Sequence, residues 1–419
     1  MNTTKQTAPD GDLSAKTLFE KAYTAHQSGQ LDEALLLYRQ VNDLEPNHVG
    51  ALTLAGILSS QSGDHEEGIR LIQSAVAIQP ENLDALFNLG TAFEAASRFE
   101  EAEAIFRKVI ADKPDIVDAW QNLADVLDKR GKAPEAEQIL REIMLNDPKA
   151  KKGIRFNDLI CRQIKNGRLK EALETCDLYY PVFPWNMFAL ALKGFVLNEM
   201  GNTELAKHLF DYKRLVKTVK HTNVSGYSDI ASFNNELKRF VLSHPTLAFE
   251  PDQKSTRGGS QTGFIQTEKL PLFLALRHLI ETSVSEYCET VAQSPAHPYL
   301  SPLPKRFSLS IWATTLTGPG HQSPHFHPSS WLSGVYYVSL PNTISEDDQT
   351  KAGWIEYGKP NDHFGLTAAP LTYSIQPEEG LMVLFPSYFY HRTIPFDINA
   401  GPDNNQTRIS FAFDAVPQS

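Results

Sequence analysis

The chain has 419 residues, 41% of them hydrophobic, with 50 acidic against 39 basic side chains and a formal net charge of −11. That length suits two or three domains with sizeable cores, and the acidic balance disfavours a nucleic-acid surface. No apolar run reaches the roughly 18 residues of a membrane span. The first sixteen residues lack the apolar core of a secretory signal. Three scattered cysteines, Cys161, Cys176 and Cys288, read as packing residues in a reducing, cytoplasmic setting.

In chain order, the first signal is a ruler. Pro46, Pro80, Pro114 and Pro148 follow one another every 34 residues. Ahead of each proline, a turn opens at Gly29, Gly63, Ser97 and Gly131, and weaker copies open at Gly167 (with Pro184) and Gly201. Seven residues before the turns sit small residues at Ala22, Gly56, Gly90, Ala124 and Gly194, and five residues after them Ala34, Gly68, Ala102 and Ala136. Each unit therefore reads as helix, tight turn, helix and proline stop, with small residues where the two helices approach closely. Apolar columns at Leu37/Leu71/Ile105/Ile139, Tyr38/Ile72/Phe106/Leu140 and Val41/Ala75/Val109/Ile143 give the second helix one buried stripe. One such unit cannot bury its own apolar face, so stacking into a solenoid is expected.

These residues resemble tetratricopeptide repeats over roughly residues 12–220, with the ruler broken between Lys149 and Gly167. An array of this kind presents a concave surface to a protein or peptide partner, and self-association into a homodimer is the competing use. Phe87, Phe93, Trp120 and Trp185 are aromatics that such a groove or the core would use, and large apolar residues at helical spacing favour the core.

Polar, glycine-containing residues 221–229 read as a linker to a second domain over residues 230–419. Residues 230–242 and 272–291 have amphipathic helical spacing, the latter with Leu272, Leu276, Leu279, Ile280 and Val284 on one face. The segment 254–263 between them is rich in small polar residues, carries no phosphate-loop pattern and is expected to be a loop. From Phe307 the pattern turns to strands: 307–313, 333–340, 353–357, 371–375, 380–385 and 407–413. Short strands between glycine and proline turns predict a β-sandwich or jelly roll, a fold that carries sites in its mouth.

The chemistry concentrates there. In an extended segment His325 and His327 point to one face, and His391 arrives from a distant strand. Three imidazoles converging in a β-rich pocket point to a metal. Arg408 and Ser410 share a strand face, and a planar guanidinium there suits an anionic co-substrate.

The series His325-Phe-His327-Pro, Leu332-Ser-Gly-Val-Tyr-Tyr-Val338, Gly353-x-Ile-Glu-Tyr-Gly358, Phe385-Pro-Ser387-x3-His391 and Arg408-Ile-Ser410 resembles the 2-oxoglutarate/Fe(II)-dependent oxygenases that follow tetratricopeptide repeats. The resemblance covers about residues 225–419. It implies a double-stranded β-helix with flanking helices, Fe(II) as cofactor, and 2-oxoglutarate and O2 as co-substrates. On this resemblance His325 is the first metal ligand and His391 the distal one. Arg408 holds the far carboxylate of 2-oxoglutarate, with Ser410 assisting.

One position departs from the superfamily pattern, which places a carboxylate two residues after the first histidine. Here that residue is His327, so either three histidines bind the metal, or Glu356 supplies the carboxylate, or the site binds weakly and has lost turnover. The local HxH geometry favours His327. His321 reads as an outer-surface histidine. Trp312, Tyr336, Tyr337 and Tyr373 are candidates to line the pocket, although Tyr336 and Tyr337, as strand neighbours, cannot both do so. The leading expectation is a hydroxylase acting on a protein or peptide recruited by the repeats. A three-histidine cupin-like metal enzyme without 2-oxoglutarate, and a non-catalytic adaptor with a vestigial site, are the other classes.

Overall fold

A computed structural model describes residues 14–146, 156–180, 187–252, 254–265, 270–291, 297–301, 303–345, 347–396 and 407–418. Pro148, Pro184 and Trp185 lie outside these residues. The chain forms two compact units, Met1–Arg155 and Phe156–Ser419.

The first unit is a run of antiparallel helix pairs: α1 (Ala15–Gln27) with α2 (Leu31–Leu44), α3 (Val49–Gln61) with α4 (His65–Ile78), α5 (Leu83–Ala95) with α6 (Phe99–Asp112), and α7 (Val117–Lys129) with α8 (Ala133–Asn146). The 34-residue ruler maps onto them directly. Pro46, Pro80 and Pro114 each fall two residues beyond the second helix of a pair. The intervening turns need a left-handed residue, supplied by Gly29 (φ 75°), Gly63 (φ 95°) and Gly131 (φ 75°), while Ser97 takes φ 60° in the third copy. The small-residue column is steric in origin: a Cβ on Gly90 would lie 2.7 Å from the Phe106 ring. Tyr38, Ile72 and Phe106 are fully buried, as are Val41, Ala75 and Val109. The described candidate aromatics pack against the protein, as helical spacing favours. Phe93 is buried, Phe87 packs on Phe106 with ring centroids 5.9 Å apart, and Trp120 Nε1 donates to the Pro114 carbonyl at 2.8 Å.

The second unit begins with helices of the same origin: α9 (Phe156–Lys165), α10 (Leu169–Tyr179), α11 (Phe188–Glu199), α12 (Thr203–Leu209) and the single turn α13 (Tyr212–Leu215). The compact division thus falls well before the 221–229 stretch expected to be the linker. These helices pack on the sheet through aromatic rings: Phe195 lies 5.3 Å from Tyr390, and Tyr212 lies 4.7 Å from Phe389. The last repeat helix ends at Leu215, not near Lys220. The following β1 (Lys217–Lys220) pairs antiparallel with the sheet, and His221 N–H continues the contact to the Gly380 carbonyl at 2.9 Å. After it come α14 (Ile230–Leu242), β2 (Ala248–Phe249), β3 (Thr256–Gln261) and α15 (Pro271–Val291). Both helices match their amphipathic spacing, but Thr256–Gln261, within the 254–263 segment expected to be a loop, is strand. It pairs with a neighbouring strand, and small residues suit that contact because a Cβ on Gly259 would meet the Thr315 carbonyl at 2.3 Å.

The remaining strands are β4 (Phe307–His325), β5 (Leu332–Ser339), β6 (Ile355–Tyr357), β7 (Tyr373–Ile375), β8 (Leu381–Pro386), β9 (His391–Thr393) and β10 (Arg408–Pro417). They form one antiparallel sheet in the order β1-β8-β5-β10-β4-β9-β6-β7, with β3 and β2 added beside β4. Its fold is a jelly roll, the arrangement of a double-stranded β-helix. The curl has two visible causes. β4 pairs with β10 over Phe307–Leu316 and with β9 over Gln322–His325. Between these stretches lie Gly318 (φ 60°) and Gly320, whose Cβ would meet the Gly258 carbonyl at 2.6 Å. The far ends of the sheet then face each other: Tyr357 of β6 packs edge-on against Phe385 of β8 at 5.0 Å.

Candidate metal centre

β4 ends on His325 and β9 begins on His391, and the two are register partners across the ladder. Their ring centroids lie 4.3 Å apart. His327 stands two residues beyond, 5.3 Å from His325 and 5.2 Å from His391. Phe326, between the paired histidines, turns to the opposite side. There it stacks on Tyr390 at 4.7 Å and meets Phe188 of α11 at 5.4 Å, while Met187 N–H donates to the Pro328 carbonyl at 3.0 Å. A helix of repeat origin thus buttresses the HxHP segment. One ligand nitrogen from each histidine lies within 4.8 Å of the others. Some point is therefore within about 2.8 Å of all three, against the ~2.1 Å of a metal–imidazole bond, so shifts of under 1 Å would close a coordination triangle.

The proton positions suit that use. His325 Nδ1 donates to the Ser323 carbonyl at 2.8 Å, and His391 Nδ1 donates to the Phe389 carbonyl at 3.0 Å. His327 Nδ1 lies 2.6 Å from Asp414 Oδ1. Carbonyls and carboxylates only accept, so each ring carries a proton on Nδ1, which leaves Nε2 as the atom that would face a ligand. Ser255 Oγ is 3.3 Å from His325 Nε2. Burial, reinforced by His327, lowers the His325 pKa to about 3. Burial, then His325 and His327, holds His391 well below the usual imidazole range. Both rings are therefore neutral near pH 7, the form a metal binds.

The pocket continues inward to Tyr337, Arg408 and Ser410. Arg408 is 2% exposed, and its Nε and Nη1 have no hydrogen-bond partner among the described residues. Its guanidinium carbon sits 5.0 Å from the Tyr337 ring centre. Burial lowers the Arg408 pKa, with Tyr337 opposing. An unpaired buried cation costs several kcal/mol, and a ligand carboxylate would remove that cost. Iron and a dicarboxylate co-substrate fit these residues on chemistry: three imidazole donors at one end and a buried guanidinium with two free nitrogens, among the described residues, at the other. Outward, His325 and His327 also border an adjoining cleft lined by Lys254, Gln261, Phe264 and Trp312.

Of the predicted lining aromatics, Trp312 and Tyr337 face the pocket. Tyr336 instead donates its hydroxyl to Asn234 Oδ1 of α14 at 2.7 Å, as strand alternation requires. Tyr373 stacks on Tyr212 with centroids 6.0 Å apart. Glu356 is not in the histidine group; Arg392 Nε donates to its Oε2 at 2.6 Å, with both side chains mostly buried. His321 lies opposite Arg257 on the β3–β4 ladder, also outside the group.

Sequence reading missed Asp414, Ser333 and Ser387. Ser333 Oγ donates to Asp414 Oδ1 at 2.6 Å and lies 2.8 Å from Ser387 Oγ. The signal for Asp414 was available: the two-residue stride that puts Arg408 and Ser410 on one face of β10 continues to position 414.

Family models agree with this architecture. The family described as "Putative 2OG-Fe(II) oxygenase" matches residues 310–414. Tetratricopeptide-repeat families match residues 15–48, 60–116 and 93–152. No curated protein matches the chain. Among solved structures, PilF of Pseudomonas aeruginosa is 18% identical, covers 48% of this chain and 90% of its own, and has a TM-score of 0.36. MamA is 18% identical, with 45% and 90% covered and a TM-score of 0.28. The first tetratricopeptide domain of Spaghetti (RPAP3), bound to an HSP90 peptide, is 22% identical, with 28% and 94% covered and a TM-score of 0.28. The chain joins tetratricopeptide repeats to a sheet domain that matches the 2OG-Fe(II) oxygenase family.

Proposed function

We propose that the chain is a 2-oxoglutarate- and Fe(II)-dependent dioxygenase that hydroxylates a protein or peptide recruited by its repeats. The observation that carries this reading is the buried Arg408 guanidinium, two of its nitrogens without partners among the described residues, in the same pocket as three clustered imidazoles. His325, His327 and His391 would hold the iron, and Arg408, with Ser410, the far carboxylate of the co-substrate. When bound, Fe(II) with 2-oxoglutarate and O2 supplies oxidative decarboxylation to succinate and CO2, coupled to insertion of one oxygen atom into a substrate C–H bond. The chain's own contribution is positional. The Nδ1 hydrogen bonds fix three rings without reorganisation. Arg408 sets the co-substrate's direction by bidentate pairing, and Trp312, Phe385 and Ile355 shield the pocket from water. The substrate would enter by the outer cleft, beside His325 and His327.

A cupin-like enzyme without 2-oxoglutarate accounts for the histidines but leaves Arg408 buried without a task. An adaptor with a vestigial site leaves both unexplained. The test is anaerobic titration of the purified chain with Fe(II) and 2-oxoglutarate, following the weak visible charge-transfer band. The band is expected in the wild type and in Glu356→Gln, and is lost in His391→Ala. Its absence from the wild type refutes the oxygenase reading. Its persistence in His391→Ala refutes the ligand assignment, and its loss in Glu356→Gln returns Glu356 to the ligand set.

A further inference from the structure

Three neutral imidazoles would leave a divalent cation with its whole double charge in a pocket of low polarity, where uncompensated charge is costly. The usual oxygenase set avoids this by including a carboxylate, and here the corresponding position is His327. Behind His327, Asp414 Oδ1 lies 2.6 Å from Nδ1, and the Asp414 side chain is only 13% exposed. Asp414 is the one acidic residue among the described residues that line the inner pocket or the outer cleft. The other nearby acid, Glu356, is paired with Arg392. Asp414 is itself held: Ser333 Oγ donates to the same oxygen at 2.6 Å, and Ser333 is fixed by Ser387 at 2.8 Å. Ser333 sits opposite Asp414 on the β5–β10 ladder and opposite Phe385 on the β5–β8 ladder, so three strands converge on this carboxylate.

Building on the metal-site reading above, we propose that Asp414 supplies, through His327, the negative charge that the three-histidine ligand set lacks. It is a positioning residue. Its carboxylate accepts the His327 Nδ1 proton in a hydrogen bond, locks the ring with Nε2 toward the metal and raises the donor strength of that nitrogen. The ordinary ligand carboxylate has in effect moved one residue outward, with an imidazole interposed. No proton leaves His327 and no bond changes; the effect is on orientation and charge.

The test uses the full chain and Co(II) as an oxygen-stable probe, with affinity from equilibrium dialysis and site geometry from the visible d–d spectrum. Asp414→Asn, which keeps the shape and removes the charge, is expected to weaken Co(II) binding about 10- to 100-fold. The decisive comparison is a double-mutant cycle. In the His327→Asp background a ligand carboxylate is restored, so Asp414→Asn is expected to be neutral or to tighten binding by relieving a carboxylate pair. Equal affinity of wild type and Asp414→Asn overturns the proposal, as does the same weakening in both backgrounds, which would mark Asp414 as structural only. Should Asp414→Asn lose its native circular dichroism, Ser333→Ala takes its place. It keeps the carboxylate, removes the clamp and is expected to alter the d–d spectrum with a few-fold loss of affinity; no change overturns the proposal. A wild type that binds no Co(II), or binds it equally well as His391→Ala, overturns the metal-site reading itself.

Discussion

Replacing Arg408 with Met separates a structural arginine from one kept for a ligand. Arg408 is 2% exposed, and two of its guanidinium nitrogens are unpaired. Holding a lone cation there costs several kcal/mol, whereas methionine keeps an unbranched apolar stem and drops the charge. Without co-substrate, Arg408→Met is therefore expected to unfold at a temperature no lower than the wild type. The contrast comes with ligand. At about a hundred times its dissociation constant, 2-oxoglutarate stabilises the protein that binds it by about 2.7 kcal/mol, or roughly 5–10 °C for a domain of this size. The assay is differential scanning fluorimetry under nitrogen, with Fe(II) present in every sample and 2-oxoglutarate added to half. The wild type gains that increment, and Arg408→Met gains none beyond the metal's. Two results would refute the reasoning: a full 2-oxoglutarate increment in the variant, or a ligand-free variant less stable than the wild type by more than about 3 kcal/mol, the penalty for breaking a buried pair.

Two further predictions concern stability. His325, lowered to about 3, and His391, lowered well below its usual range, bind fewer protons folded than unfolded. Their contribution is present above the ordinary imidazole value of about 6.5 and is lost as pH falls toward 3. Metal-free protein in urea should lose stability steadily from pH 7 to pH 4, and His325→Gln should flatten that slope; an unchanged slope would contradict the assigned protonation. In the repeats, Ser97 occupies with φ 60° the turn that Gly29, Gly63 and Gly131 fill elsewhere. Relief of left-handed strain in Ser97→Gly is worth about 1 kcal/mol, read as a higher urea midpoint for the helical transition, and no gain would mean the serine is not strained.

Much of the candidate site was legible because strand alternation is a local rule. The stride of two aligned His325 with His327, aligned Arg408 with Ser410, and put Tyr336 and Tyr337 on opposite faces; which of the two enters the pocket came from the fold. The same stride reached Asp414, but nothing in the sequence said that His327 and Asp414 would meet, because one leaves β4 and the other ends the inward face of β10. Between His327 and Glu356, the local HxH spacing favours His327. The register faces Glu356 with Arg392 across the β6–β9 ladder, which engages that carboxylate elsewhere and supports the proposal of His327 as the third ligand. β4 runs past the 307–313 stretch legible in the sequence to His325, because in a curling sheet Gly318 and Gly320 form the bend that carries one strand from one partner to another.

By itself the sequence determined the 34-residue helical period, the amphipathic helices at 230–242 and 272–291, and the residue types at the centre. Each follows from side-chain size and polarity at fixed local spacing. Only the tertiary structure decided where the units divide. Helices α9–α13 carry the repeat pattern yet bury their aromatic faces against the jelly roll, and burial depends on the partner surface rather than on periodicity. Convergence was likewise a property of the fold: the closing of the sheet brings the end of β4, the start of β9 and the inward face of β10 around one pocket, leaving the Arg408 charge inside with Nε and Nη1 unpaired.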